Sequence, residues 1–482
     1  MSVSTHVPSR MHYKGSGPRS IFRALLVCLA AASAEWVAAQ PVISVLNSST
    51  AKFQIGWNDL GPTNAYTVQY RDGLGDTIWL NAPLATPWPV TIPQWTDPRT
   101  NPAPARFYRV LEVERAQRGR LLASTLLTTY SRNALAFLFL FAGYPITPQY
   151  GVSVFKLDYE TIDPRGGRAL ASGVLALPQG VASALPLASY QHGTLARTNE
   201  APSANLTGET LVGVAMASGG YATVVPDYLG LGDSPPLHPY IHARSEASAC
   251  VDMLRAARAY CASNGVALNG KLFLAGYSQG GHATMALHRE IETYHTNEFA
   301  ITASAPMAGP YDLSGTTLDD FLSDRPKPDP YYYAYLVAAY EEVYHLAPTL
   351  EDLLAPPYNL TLPPLLHGNA AGSDINAAMP SDPRQMLKPE YLNALASRPD
   401  HPFRVALRDN DLYAWIPRAP MRLFHCGGDQ DVLIANSQVA TNIMRNLGAI
   451  GVTLVIPSPT LGHSDCAQPS LLAAKAWFDT LK

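Results

Sequence analysis

Gly276-Tyr277-Ser278-Gln279-Gly280 follows the apolar run Lys271-Leu272-Phe273-Leu274-Ala275 and precedes the helix-forming stretch Gly281-His282-Ala283-Thr284-Met285-Ala286-Leu287. A serine hydroxyl is a weak nucleophile near neutral pH. It attacks a carbonyl only when a base takes its proton and an acid orients that base. A sharp strand-to-helix turn exposes such a serine, and glycines on both sides keep other side chains out of its way. The helix that follows points its N-terminus at the serine and favours negative charge there. Ser278 is therefore the candidate covalent nucleophile.

The candidate base is His463, in Gly462-His463-Ser464-Asp465-Cys466. Of the thirteen histidines, it combines a glycine flank with a position between the last expected strand and the last expected helix. The acid is expected in His425-Cys426-Gly427-Gly428-Asp429-Gln430-Asp431-Val432-Leu433. Two carboxylates compete there. Asp429 fits the pattern H-G-x-x-D-x-x-V-P, with Leu433 standing where proline is common; Asp431 requires a shifted register. The chain order Ser, Asp, His runs as a strand–turn–helix elbow requires. A developing oxyanion needs two backbone N–H donors. Gln279, directly after the serine, supplies one. Thr194 supplies the other, at the end of Ser189-Tyr190-Gln191-His192-Gly193-Thr194. His192 is expected to shape that loop. Asp227 and Asp233 precede the serine and are expected in turns.

These residues need a frame. Strands are expected at Val152–Leu157, Ala169–Leu177, Leu185–Tyr190, Ala222–Val225, Lys271–Ala275, Ala300–Ser304, Met421–His425 and Val452–Ile456. Helices are expected at His242–Ala262, Gly281–Thr293, Asn436–Leu447 and Ser470–Leu481. Apolar strands alternating with amphipathic helices indicate an α/β fold, with a doubly wound, mostly parallel sheet. Residues about 313–405 interrupt that order. They are rich in Pro and Tyr, with a helix expected at Tyr331–Leu346, and are expected to form a cap over the site. Residues 41–115 differ again. Their short alternating strands, separated by turn residues, suggest a small all-β sandwich.

The 482 residues suggest more than one domain. Net charge is −4 and no basic block stands out, which argues against nucleic acid as a partner. Residues 1–39 read as an export signal. Arg19 and Arg23 precede an apolar run too short for an ordinary membrane span, and Val37-Ala38-Ala39 offers a cleavage site. An uncleaved anchor is the alternative there, and no later segment reads as a membrane helix. Export permits disulfides. Cys250 and Cys261 fall in one expected helix, roughly 16 Å apart along its axis, too far to pair. Cys426 and Cys466 lie in the two loops that carry the candidate acid and base, and are expected to be bridged.

Together these pieces resemble the secretory lipase and esterase branch of the α/β-hydrolases. The likeness spans residues 120–482. Its carriers include Ala171-Ser172-Gly173-Val174-Leu175-Ala176-Leu177-Pro178, Tyr190-Gln191-His192-Gly193-Thr194 and Pro226-Asp227-Tyr228-Leu229-Gly230-Leu231-Gly232. The Ser278 elbow, the Asp429 loop and Gly462-His463 complete the set. The resemblance implies hydrolysis of small-molecule or lipid carboxylic esters through an acyl-enzyme, with no metal or organic cofactor. Residues 41–115 resemble fibronectin type III-like modules, which space or dock. Surface or carbohydrate docking through Trp79, Trp88 or Trp95 competes with a packing role for these rings. Two other functions stay open: an aminopeptidase-like serine peptidase of the same fold, and a non-catalytic binding protein using the β-module. Acyl-chain length, alcohol preference and oligomeric state are not encoded in these motifs.

Overall fold

Alternating apolar residues in the first described segment build six short strands. They are β1 (Ile43–Ser49), β2 (Lys52–Trp57), β3 (Asn64–Arg71), β4 (Leu80–Asn81), β5 (Gln94–Thr96) and β6 (Phe107–Glu114). The computed structural model describes residues 41–49, 52–73, 75–98, 106–235 and 237–482, so the expected export signal lies outside the described residues. The six strands pair antiparallel in two sheets, β1-β2-β5 and β4-β3-β6. Ile55, Trp57, Tyr66, Val68, Trp95 and Val110 from the two sheets share one core with Trp88. Trp88 and Trp95 are buried, and their indole N–H groups donate to Thr67 Oγ1 and to the Pro83 carbonyl. These two rings pack the module and offer no open face to a sugar. Trp79 is half-buried on the outer face.

The chain continues with β7 (Leu121–Tyr130) and α1 (Arg132–Phe141). Neither is legible in the sequence pattern. Leucines pair in β7 instead of alternating, because it is an edge strand with most of its residues exposed. Helix α1 is almost wholly apolar and starts where the Ser131 side chain accepts from the Ala134 N–H. The expected strands follow as β8 (Val152–Ile162), β9 (Arg168–Pro178), β10 (Leu185–Gln191), β11 (Ala222–Pro226), β12 (Leu268–Tyr277), β13 (Ile301–Met307), β14 (Met421–Phe424) and β15 (Val452–Val455). One nine-stranded sheet results, ordered β15-β14-β13-β12-β10-β11-β9-β8-β7. Strands β10 to β15 pair in parallel; β7, β8 and β9 add an antiparallel edge.

Helices cover both faces, as a buried parallel sheet requires. On one face α1, α2 (Thr210–Ser218) and α12 (His463–Asp479) supply Phe139, Val214 and Phe478 to the core. On the other, α3 (Ala243–Ser263) and α4 (Gln279–Tyr294) supply Leu254 and Leu287. Helix α11 (Ala435–Asn446) packs Ala440 and Met444 beside Met421 and Leu423 of β14. Helix α12 starts at His463, seven residues before the expected Ser470, and carries Pro469 inside it. No described helix is long and apolar enough to cross a membrane.

Between β13 and β14 the chain leaves the sheet for α5 (Leu318–Leu322), α6 (Tyr331–Tyr344), α7 (Tyr358–Thr361), α8 (Gly372–Ala378), α9 (Pro389–Ser397) and α10 (Pro402–Asp409). These helices build a core of their own around Tyr335, Tyr340, Leu395 and Phe403. Ile78 of the β-module is buried in the same core. Module and insertion are thus joined by packing.

Cys426 and Cys466 form a disulfide, while Cys250 and Cys261 on α3 are free and buried. The bridge joins positions 40 residues apart. Replacing both cysteines by alanine is expected to lower the unfolding free energy by about 4 kcal/mol, the chain-entropy value for such a loop. Urea unfolding reads this directly; an unchanged midpoint would remove the bridge from the list of stabilising contacts.

Candidate active site

Ser278 stands between the end of β12 and the start of α4 with φ +60° and ψ −120°. A side chain in that left-handed region is strained, and the surroundings must hold it there. The Ser278 N–H donates to the Met307 carbonyl, and the Gly281 N–H donates to the Ser278 carbonyl. The flanking glycines have a steric reason. A Cβ on Gly280 would lie 1.9 Å from the Gln191 carbonyl oxygen, and one on Gly276 would lie 2.3 Å from the Gly280 carbonyl oxygen. The elbow and the loop after β10 are in backbone contact.

His463 and Asp429 meet the serine although 185 and 151 residues separate them from it in the chain. His463 Nε2 lies 2.8 Å from Ser278 Oγ, and its Nδ1 lies 2.6 Å from Asp429 Oδ2. This geometry suits a proton on Nδ1 and leaves Nε2 to accept from the serine. Asp429 Oδ1 accepts the N–H groups of Asp431 and Val432 at 3.0 and 2.9 Å. Burial pushes the Asp429 carboxyl up, but hydrogen bonds from His425 and His463 outweigh it and hold the group well below the usual carboxylate range. Asp431 points elsewhere. Its Oδ1 is buried with no hydrogen-bond partner among the described residues, and burial raises its carboxyl. The structure thus brings Asp429, not Asp431, to the histidine.

His425 stands in the same run, at the histidine place of the H-G-x-x-D pattern, four residues before the acid. Its Nε2 lies 2.8 Å from the Val432 carbonyl and 3.1 Å from Asp429 Oδ2; its Nδ1 lies 2.8 Å from Ser437 Oγ. The carbonyl requires a donor, so Nε2 carries a proton. His425 is fully buried and clamps the acid loop. Its proximity to Asp429 was the available signal. Replacing His425 by phenylalanine leaves buried polar groups unpaired and is expected to cost about 1–3 kcal/mol of stability. Turnover should fall with little change in KM, because the acid loop and not the substrate is disturbed. A raised KM at unchanged kcat would overturn this role.

The expected oxyanion donors lie beside the serine. A Cβ on Gly193 would be 3.9 Å from Ser278 Cβ, so the loop carrying Thr194 passes over the nucleophile. The Thr194 N–H meets no acceptor among the described residues, and its hydroxyl lies 2.9 Å from Tyr240 OH. Gln279 is the first residue of α4, where a backbone N–H has no helical acceptor. Its side chain is held from behind. Gln279 Nε2 lies 2.7 Å from His238 Nε2 and donates to Glu246 Oε1 at 3.0 Å. His238 Nδ1 faces the Leu229 carbonyl at 2.6 Å, and burial pushes this imidazole down to about 4. Glu246 also meets His282 Nδ1 at 2.7 Å. Glu246 belongs to no motif read from the sequence; the fold brings it to Gln279 and to His282, which follows the elbow in the chain, and Gln279 also meets His238.

His192 and the two early aspartates take structural places. His192 Nδ1 and Nε2 face the carbonyls of Gly193 and Asp227. Asp227 accepts from Ser172 and Ser203, and Asp233 pairs with Lys156. A pocket opens above Ser278 and Gln279. Tyr240, Leu313, Tyr332 and Leu336 make it largely apolar, while Asp329 and Asp431 lie at its polar side. The insertion between β13 and β14 therefore supplies much of the wall.

This sheet, elbow and histidine–carboxylate pair define an α/β-hydrolase. The secretory lipase family matches residues 198–301. The rice cell wall degrading esterase LipA from Xanthomonas oryzae is 32% identical, with a TM-score of 0.69, over 76% of this chain and 100% of that one. A putative hydrolase from Legionella pneumophila is 30% identical, with a TM-score of 0.70, over 75% of this chain and 98% of that one. Candida antarctica lipase A shares the fold at 20% identity and a TM-score of 0.57, over 76% of this chain and 83% of that one. No curated protein sequence matches. The chain belongs to the lipase and esterase family of the α/β-hydrolases, and its activity in general terms is ester hydrolysis.

Proposed function

We propose that this protein is an exported serine carboxylic-ester hydrolase acting through an acyl-enzyme on Ser278. The observation that carries the reading is the unbroken Asp429–His463–Ser278 hydrogen-bond chain. Ser278 Oγ attacks the ester carbonyl while His463 Nε2 takes its proton. Asp429 holds the imidazole in the required tautomer and stabilises its cationic form. The N–H groups of Thr194 and Gln279 receive the oxyanion. His463 then protonates the leaving alcohol, and water repeats the cycle to release the acid.

In this reading residues 1–39 are an export signal and residues 120–482 the catalytic domain, with a cap at about 313–405. Residues 41–115 form a fibronectin type III-like docking module. LipA degrades rice cell wall, and the likeness supports an extracellular ester as substrate.

Labelling with a fluorophosphonate, followed by peptide mapping, tests the nucleophile: the adduct is expected on Ser278. A parallel panel of p-nitrophenyl esters, a triglyceride emulsion and dipeptide anilides tests the substrate class. Turnover of anilides above esters would replace the esterase by a peptidase. Absence of any adduct would leave a binding protein.

A further inference from the structure

We propose that the seam between the β-module and the catalytic body binds a carboxylated polysaccharide. Strand β3 presents Thr67, Gln69 and Arg71 on the face away from the module core, where Tyr66 and Val68 are buried. Gln69 lies opposite Arg109 of β6 and Asn81 of β4. The guanidinium carbons of Arg71 and Arg109 stand 4.7 and 4.6 Å from the centre of one indole, that of Trp79. The turn between β8 and β9 closes the other end. Thr67 Oγ1 donates to the Arg165 carbonyl at 2.6 Å, and the Arg165 side chain is exposed beside the module.

Three guanidinium groups thus gather on a chain whose net charge is −4. None of them has a carboxylate within 4.0 Å among the described residues. The neighbouring acids are committed elsewhere. Asp72 pairs with Arg106, Asp76 Oδ2 accepts from the Gly73 N–H, and Asp163 accepts the N–H groups of Arg165 and Gly167. Arg71 Nη1 donates to the Asp76 carbonyl at 3.1 Å, and its Nε is buried without a partner among the described residues. Arg109 spends only its Nε, on Gln69. Burial and the like charges of Arg71 and Arg165 push the Arg109 guanidinium down, the direction a bound anion reverses.

The chemistry favours repeated carboxylates. A guanidinium fork matches a planar carboxylate with two parallel hydrogen bonds. Three guanidinium groups, each with N–H donors left over, suit a polymer that carries one carboxylate per sugar. Trp79 has two guanidinium groups packed on its ring, which compete with sugar stacking. A membrane surface fits less well, because stable membrane anchoring takes a second, apolar signal beside a basic patch. Trp79 and Phe107 are half-buried here. The inference rests on the docking reading of the module and is independent of the Ser278 chemistry.

Affinity electrophoresis through polygalacturonate tests it, beside fully methyl-esterified polygalacturonate, a neutral glucan and phosphatidylserine vesicles. The full chain is expected to bind the charged polymer, more weakly at high salt, and to ignore the esterified and neutral ones. Arg71→Gln/Arg109→Gln should weaken binding by about tenfold or more, the scale of lost charged hydrogen bonds. Arg165→Gln, on an exposed turn, should weaken it without touching the module fold. Turnover of a soluble p-nitrophenyl ester is expected to be unchanged in both variants, which separates this site from the esterase reading. Equal binding to the esterified or neutral polymer, full binding by both variants, or preference for vesicles would each overturn the proposal.

Discussion

Replacing Ser278 by alanine is expected to abolish the alcohol burst from an activated ester and to lower kcat by about 10⁴–10⁶-fold, the range seen when a triad nucleophile is removed. The fold should survive. The elbow is held by backbone bonds, from the Ser278 N–H to Met307 and from the Gly281 N–H to Ser278, and neither uses the hydroxyl. The side chain's own bond is to His463. Thermal unfolding of the variant should therefore stay near that of the parent. Thr194 and Gln279 would still receive an oxyanion, so a slow residual hydrolysis is compatible with the mechanism. Retention of most turnover, or of the burst, would sink the covalent route through Ser278.

Asp429→Asn and Asp431→Asn should differ by orders of magnitude although only one residue lies between the two sites. At Asp429 the amide offers a donor to a histidine nitrogen that itself needs an acceptor. The imidazole then adopts the wrong tautomer, and kcat is expected to fall by about 10⁴-fold. At Asp431 no hydrogen bond to His463 is lost, so turnover is expected to stay within about tenfold of the parent. The reverse order would transfer the acid role to Asp431. The pH dependence follows from the same contacts. Asp429 is held below its unfolded value by His425 and His463. Its contribution to stability is therefore full above the unfolded carboxylate range near pH 4 and is lost as pH falls towards the folded value. Asp429→Asn should lower stability at neutral pH and flatten the acid side of the curve. Urea midpoints measured from pH 7 downward read both effects; parallel curves for parent and variant would remove the linkage.

Much of the catalytic body is legible because its strands are buried on both faces and read as apolar runs. β10 is buried at all seven positions, and its expected span, Leu185–Tyr190, is one residue short of the observed one. β7 and α1 escape that reading for the opposite reason, since an exposed edge strand carries no compulsory pattern. The start of α12 at His463 is equally hidden. Pro469 suggests a break, yet the helix runs through it from His463 to Asp479.

The site divides in the same way. Ser278, the Asp429 loop and His463 belong to local motifs because each needs a particular turn with small residues around it. Those needs are written in neighbouring positions, and the sequence alone determined them. The sequence left two carboxylates open at 429 and 431. The choice depends on which one a helix 34 residues further on presents with an imidazole, and only the packing of α12 against β14 decides that. His238 and Glu246 act at hydrogen-bond range on groups brought together by the sheet. So does Arg109, whose Nε donates to Gln69. Hydrogen bonds and charge pairs have no period along a chain, so only tertiary structure discloses them.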